Sequence, residues 1–158
     1  MRVVVDNQNK FGSVDISEII VHPKSRDEID KTVIGLQYLY TTVEIRTEIF
    51  KLLDEKLLPK VSKKNGRPGM DLWKILVLGV MRQVCKWDYD KLQNMANNHQ
   101  TIRELMGHSS SEWGDKYYYE LQTIKDNVKL LTPELLDEIN LIVVESGHKL
   151  LSNKKKVN

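Results

Sequence analysis

Apolar residues recur every three or four positions through most of the chain, which is the spacing that places them on one face of an α-helix. The pattern is clearest over residues 113–131. Another apolar stripe, which recurs every seven residues, covers residues 25–58, and Ser25 and Glu28 have the spacing of a capping box at its start. We therefore predict one long helix that Pro59 ends. The members of the stripe are Ile29, Leu36, Val43, Phe50 and Leu57.

Further helices are predicted downstream. Residues 72–86 are apolar on nearly every helical face, so this helix belongs in the centre of a domain. Two shorter helices, residues 88–96 and 100–106, flank an Asn97-Asn98 turn signal. A last helix opens at Pro133, since proline is favoured at the first helical position. These segments predict an all-α bundle of about six helices.

The two ends of the chain differ from this helical body. Residues 1–24 predict an irregular or β-like segment, with short strands at Val3–Val5 and Ile16–Val21. Residues 152–158 form a polar, basic tail that has the composition of a linker. We therefore expect an irregular N-terminal segment (1–24), a helical domain (25–151) and a tail (152–158).

Composition indicates a soluble chain of ordinary polarity. Hydrophobic residues make up 41% of the 158 residues and charged residues 29%. Cys85 is the single cysteine, which excludes a disulfide framework and fits a reducing cytoplasm. The most apolar run, residues 72–84, is interrupted by Lys74 and Arg82 and is shorter than a membrane span, so we expect no membrane partner.

Positive charge is concentrated in one part of a nearly neutral chain. Residues 60–86 contain seven Lys and Arg against one Asp, a net charge of +6, whereas the whole chain carries +2. A basic segment indicates either a solvated loop or a binding site for a polyanion such as the DNA backbone. The candidate phosphate ligands are Lys63, Lys64, Arg67 and Lys74.

The unit of two short helices over residues 88–106 resembles a helix-turn-helix, whose second helix enters the major groove of DNA. Gln100 and Arg103 would then face the bases, because Gln pairs with adenine and Arg with guanine. The competing interpretation is an ordinary corner of a helical domain, whose outer face is polar in any case.

Motifs for catalysis or metal binding are missing from the sequence. A zinc site of Cys85, His99 and His108 would lack the closely spaced ligand pair typical of such sites. Glycine-rich phosphate loops and nucleophile elbows do not occur. We therefore expect no catalytic site and no cofactor in this chain.

Five segments of the sequence are distinctive, and they are IGLQYLYTT (34–42), GRPGMDLWKILVLG (66–79), YDKL (89–92), AN (96–97) and TIRELMGH (101–108). The first is followed by Arg46, and the second begins the central helix. In this order along the chain, the segments resemble the N-terminal region of ISNCY-type insertion-sequence transposases.

The resemblance implies a role in DNA transposition, in which double-stranded DNA is the partner. In that family a helical N-terminal domain is followed by an RNase H-like domain whose Asp, Asp and Glu hold two Mg²⁺ ions for strand cleavage and transfer. No acid of this chain can be assigned to that triad. We expect this region to recognise the terminal inverted repeats of the element, and the catalytic domain to be absent from it.

Other functions remain open. The seven-residue stripe within Ile29–Leu57 predicts either packing inside the domain or a homodimer seam. If the stripe is a homodimer seam, the chain would be an oligomerisation or interaction domain that does not itself contact DNA. A stand-alone helix-turn-helix regulator is a further alternative, and an enzyme active in this chain alone has the least support.

Overall fold

The computed structural model describes residues 15–21, 26–57, 70–108 and 117–157, with side chains up to residue 145. These residues form seven α-helices and one 3₁₀ helix (Ile16–Glu18), and they contain no strand. The predicted all-α class is confirmed. The helices are α1 (Glu28–Thr41), α2 (Val43–Leu57), α3 (Leu72–Cys85), α4 (Tyr89–Asn98), α5 (Gln100–Leu105), α6 (Leu121–Val128) and α7 (Pro133–Val157).

Helix α3 is the centre of the bundle, as its sequence predicts. It packs against α1, α2, α4 and α6. Within α3, Val84 is the apolar residue that remains largely exposed, at 43%. Burial of one large aliphatic side chain stabilises a fold by about 2 kcal/mol, so α3 contributes a large share of the apolar stabilisation. Its buried residues are Leu72, Trp73, Ile75, Leu76, Val77, Leu78, Gly79 and Met81.

The prediction of one long helix over residues 25–58 is wrong. Thr42 has extended backbone angles (φ −91°, ψ 102°), so it ends α1, and α2 begins at the next residue. Its hydroxyl donates to the carbonyl of Tyr38 at 2.7 Å, in competition with the helical backbone. The two helices pack against each other, and Leu36 and Leu57 of the stripe are buried, while Val43 is 62% exposed.

Helix α1 also begins later than the capping box predicts. Asp27 caps it by accepting a hydrogen bond from the backbone N–H of Ile29 at 2.9 Å. Ser25 lies outside the described residues, as do Val3–Val5. The helix therefore starts at Glu28, three residues after the predicted cap.

The predicted strand at Ile16–Val21 is a 3₁₀ helix followed by three residues without regular structure. Asp15 caps it, and the side chains of Ile16 and Ile19 are buried. Gln37 of α1 donates to the carbonyls of Ile16 and Ile19 at 2.9 and 2.7 Å. An amide side chain thus supplies hydrogen bonds that a neighbouring strand would otherwise provide.

The helix predicted over residues 113–131 is shorter in the structure. Residues 109–116 lie outside the described part, residues 117–120 have no regular structure, and α6 begins at Leu121. The predicted turn at Asn97-Asn98 is also wrong, because both residues belong to α4. Asn97 makes hydrogen bonds to the backbone N–H and carbonyl of Tyr119, and this one contact explains both differences. The asparagine makes a tertiary contact in place of a turn, and the backbone groups of Tyr119 are satisfied without a helix.

Helix α7 extends over 25 residues, from Pro133 to Val157. Thr132 accepts a hydrogen bond from the backbone N–H of Leu135 at 3.2 Å, which starts the helix where the sequence predicts. The helix continues through residues 152–157, within the polar, basic segment for which the sequence predicts a tail. Within the described residues no helix combines the length and apolarity that crossing a membrane requires.

Two helical glycines give a test of this packing. A Cβ at Gly35 of α1 would meet no atom within 4 Å, whereas one at Gly79 of α3 would lie 2.4 Å from Leu131 Cδ1. We expect Gly35→Ala to raise the free energy of unfolding by about 1 kcal/mol through helix propensity. Gly79→Ala should be less stable than Gly35→Ala by about 1–3 kcal/mol, because Leu131 must move. Urea denaturation measures the free energy of unfolding of both variants. An equal increase in the two variants would contradict the close approach of α3 to Leu131.

Candidate nucleic-acid interface

A single residue, His99, joins α4 to α5. Its backbone N–H donates to the carbonyl of Met95 at 2.9 Å and so ends α4. Its ring Nδ1 accepts from the backbone N–H of Ile102 at 3.3 Å and caps α5. One residue therefore satisfies both helix ends, and the corner is tighter than the three- or four-residue turn of a typical helix-turn-helix.

Arg103 of α5 fixes this corner from the inside. Its Nη1 donates to the carbonyl of Ala96 in α4 at 2.9 Å, and its Nη2 donates to the carbonyl of Tyr117 at 3.0 Å. The guanidinium thereby joins three segments of the chain. The sequence assigns Arg103 to base reading, which stays a prediction, and the structure adds a positioning role that the sequence did not indicate.

The other residue assigned to bases, Gln100, is exposed at the start of α5. Its Nε2 donates to Glu104 Oε1 at 3.1 Å, four residues further along the same helix. A surface hydrogen bond of this kind contributes little to stability, so Gln100 can exchange it for another partner. The apolar side of α5, Ile102 and Leu105, is buried.

Trp73 connects the start of α3 to the end of α5. It is 2% exposed, and its indole Nε1 donates to the carbonyl of Leu105 at 2.8 Å. Tyr40 and Phe50 surround the indole, with ring centroids 4.9 and 6.2 Å away. Trp73 is therefore a core residue, in agreement with the central position predicted for the helix over residues 72–86. This bond therefore holds the start of α3 against the end of α5.

Lys74 follows Trp73 in the first turn of α3. Its ammonium lies 3.5 Å from the carboxylate of Asp71, which also caps the helix by accepting from the backbone N–H of Lys74 at 2.8 Å. The lysine side chain is 17% exposed, so Asp71 balances part of its charge. The remaining predicted phosphate ligands, Lys63, Lys64 and Arg67, lie outside the described residues.

The segment Tyr117–Glu120 lies beside the corner and is held by α4. The side chain of Asn97 pairs with Tyr119 twice: Oδ1 accepts from the backbone N–H at 2.7 Å, and Nδ2 donates to the carbonyl at 3.0 Å. Gln93, one turn earlier, donates to the same carbonyl at 3.0 Å. An amide side chain offers the same donor and acceptor as a peptide group, so α4 imitates a neighbouring strand. The spacing of Gln93 and Asn97 on one helix face was the available signal.

His108 and Tyr119 complete the packing below α5. His108 is 2% exposed, and its Nε2 shares a hydrogen bond with the hydroxyl of Tyr119. The ring of Tyr117 stacks on His108, with centroids 6.0 Å apart and planes 6° apart. Tyr117 and Tyr118 are themselves half exposed, at 53% and 57%. Sequence reasoning missed this cluster because His108 and the tyrosines at 117–119 come from two segments that residues 109–116 separate in the chain.

Metal chemistry finds no support in the described ranges, where no group of three His, Cys, Asp or Glu residues is arranged to hold an ion. His99 serves as a helix cap and His108 pairs with Tyr119, so neither ring is turned towards Cys85 as a co-ligand. Burial, followed by the nearby charges of Glu28 and Asp27, raises the pKa of the Cys85 thiol. That shift disfavours the thiolate, which is the form that binds metal.

Comparison with known proteins found no matching family model, no matching curated protein and no matching solved structure.

The positioning role of Arg103 leads to a stability prediction. Arg103→Ala leaves the carbonyls of Ala96 and Tyr117 without these donors, and we expect it to lower the free energy of unfolding by about 2 kcal/mol. Gln100→Ala, three residues away on the same helix, is the control and should change it by less than about 0.5 kcal/mol. Urea denaturation followed by circular dichroism measures both. Equal stabilities of the two variants would show that the corner does not depend on the guanidinium.

Proposed function

We propose that this chain is the DNA-binding domain of an insertion-sequence transposase and that it recognises terminal inverted repeats. Support comes first from the ordered segments that resemble ISNCY-type transposases, which extend from residue 34 to residue 108. Those segments include Trp73, Asn97, Arg103 and His108, which make tertiary contacts in the structure. Residues that hold a fold together are the ones that divergent members of a family need to retain.

The observation that carries the proposal is the contact between Trp73 and Leu105. It brings the start of α3, which Lys60, Lys63, Lys64 and Arg67 precede in the sequence, against the end of α5. We infer that Lys74, in the first turn of α3, and the polar side of α5 lie at the same end of the bundle. The lysines and the arginine of residues 60–67 would add positive charge there. DNA-binding domains use such a combination, with phosphate contacts for position and groove contacts for sequence.

We assign the candidate residues to two roles, phosphate contact and base contact. Lys63, Lys64, Arg67 and Lys74 would bind phosphates, which requires reach and charge but little geometry. Gln100 would face a base, because it is exposed and can release Glu104. Arg103 would present α5 to the groove, and base contact by Arg103 belongs to the same proposal.

Strand cleavage and transfer would belong to a separate RNase H-like domain, in which Asp, Asp and Glu hold Mg²⁺. We assign no catalytic step and no cofactor to the residues described here. The site of action would be the chromosomal DNA of a bacterial-type cytoplasm.

Binding to a fluorescent duplex tests the proposal. The duplex carries the inverted repeats that flank the coding frame, a scrambled duplex is the control, and both are titrated over a salt series. We expect tighter binding to the repeat, with an affinity that falls as salt rises because bound phosphates release counterions. A folded protein that binds neither duplex, or both equally, would overturn recognition of the repeat.

Two substitutions separate the expected roles within the same assay. Lys63→Ala should weaken binding to both duplexes and flatten the salt slope by about one unit. Gln100→Ala should weaken binding to the repeat by roughly tenfold and leave the scrambled duplex unchanged. Arg103→Ala should also reduce the preference for the repeat over the scrambled duplex, under conditions in which circular dichroism shows the variant to be fully folded. Equal losses on both duplexes from all three substitutions would contradict the division of roles.

A second candidate is an oligomerisation domain without its own DNA contact. It is favoured by an exposed apolar surface on α7, where Leu141 is 59% and Val144 46% exposed. The two functions are compatible, since a transposase that binds two element ends gains from a paired DNA-binding domain. A stand-alone regulator would be distinguished by the lack of a neighbouring frame that encodes the Asp, Asp and Glu residues.

A further inference from the structure

Helix α7 has an apolar surface that the rest of the described chain leaves open. Its inner side is buried, with Leu135 and Ile139 at 5% and 4% exposure. On another side Leu141 and Val144 are about half exposed, and they are three residues apart, so they lie on neighbouring turns of one face. Exposed apolar residues that cluster on one helix face are typical of a surface that receives a partner.

This surface continues into a groove between α7, α1 and α3. The groove has a volume of about 440 Å³. Its floor is apolar, and it includes Val84 of α3, the apolar residue of the central helix that remains 43% exposed. Asp137 and Asn140, which lie one turn before Leu141 and Val144 on the same sides of the helix, belong to its lining. The open face of α7 and the groove therefore form one surface, which we call the α7 face.

The charges of α7 are separated along its length. Residues 133–145 contain four acids, Glu134, Asp137, Glu138 and Glu145, and no Lys or Arg. Residues 146–157 contain four lysines, at positions 149, 154, 155 and 156, and no acid. The helix dipole accounts for acids in the first turn and lysines in the last turn, but it does not extend to the middle of a helix of 25 residues.

Such a helix is complementary to an antiparallel copy of itself. In an antiparallel pair the acidic half of one helix lies against the basic half of the other, and a parallel pair sets like charges together. The boundary between the halves, after Glu145, lies one residue beyond the exposed Val144. Apolar contact and charge pairing would thus have the same two-fold centre.

We propose that the chain forms a homodimer in which two α7 helices pack antiparallel along the α7 face, centred near residue 145. The partner is a second copy, because one helix supplies both members of the charge pairing. This inference does not rest on the proposed DNA binding, and its tests use no DNA.

The structure disfavours the seam that the sequence indicates within Ile29–Leu57. Thr42 interrupts that helix, and Leu36 and Leu57 are buried inside the chain. Val43 is the member of that series that is most open to solvent, at 62% exposure. It is therefore a matched control for Leu141, which has a similar exposure on the other surface.

Sedimentation equilibrium over a range of concentrations tests the interface. We expect a dimer that dissociates more readily as salt rises, because salt screens the charge pairing. Leu141→Glu should raise the dissociation constant by roughly tenfold or more, since a charge would be buried at the contact. Val43→Glu should leave it unchanged, and circular dichroism verifies that both variants are folded. A strict monomer, or a dimer that Val43→Glu alone disrupts, would overturn the proposal.

Cross-linking tests the antiparallel arrangement without depending on those variants. In a Cys85→Ser background, Val144→Cys or Asp137→Cys is treated with a short bifunctional thiol reagent. At a rise of 1.5 Å per residue, two copies of residue 144 would be offset by about 3 Å along the axis, and two copies of residue 137 by about 24 Å. We expect a cross-linked dimer for residue 144 only. Equal cross-linking at both positions would indicate a parallel pair, and cross-linking at neither would remove α7 from the interface.

Discussion

A helix that is apolar on nearly every face has to be surrounded, and α3 is surrounded by α1, α2, α4 and α6. The remaining packing follows from this constraint. Trp73 brings a polar N–H into the interior, where an unpaired donor is unfavourable, and the carbonyl at the end of α5 satisfies it. The tryptophan therefore determines how the α4–α5 corner sits on the core.

Polar side chains then determine the shape of the corner itself. Asn97 and Gln93 bind the backbone of Tyr119, and Arg103 binds the carbonyls of Ala96 and Tyr117. Each of these bonds joins segments that are separated in sequence, so the corner is held from both sides. Gln100, on the exposed face of α5, takes no part in these tertiary bonds.

The two ends of the molecule thus differ in chemistry. The end at which α3 begins carries Lys74 and lies against α5, and under our proposal it binds DNA. Helix α7 offers an apolar surface with separated charges, and we assign it to a second copy of the chain. Taken together, the two proposals would pair two DNA-binding domains about a two-fold axis, and inverted repeats in the DNA would have the same symmetry.

The sequence by itself determined the helical class, the central position of α3, the burial of Trp73 and the start of α7 at Pro133, because periodicity and local capping carry that information. Tertiary structure alone decided the break at Thr42 and the extended segment before α6. It also decided the role of Arg103, which depends on carbonyls 7 and 14 residues away. Whether a polar side chain binds solvent, a distant carbonyl or a ligand depends on which of them packing brings within hydrogen-bond distance. Helical periodicity in the sequence does not contain that information.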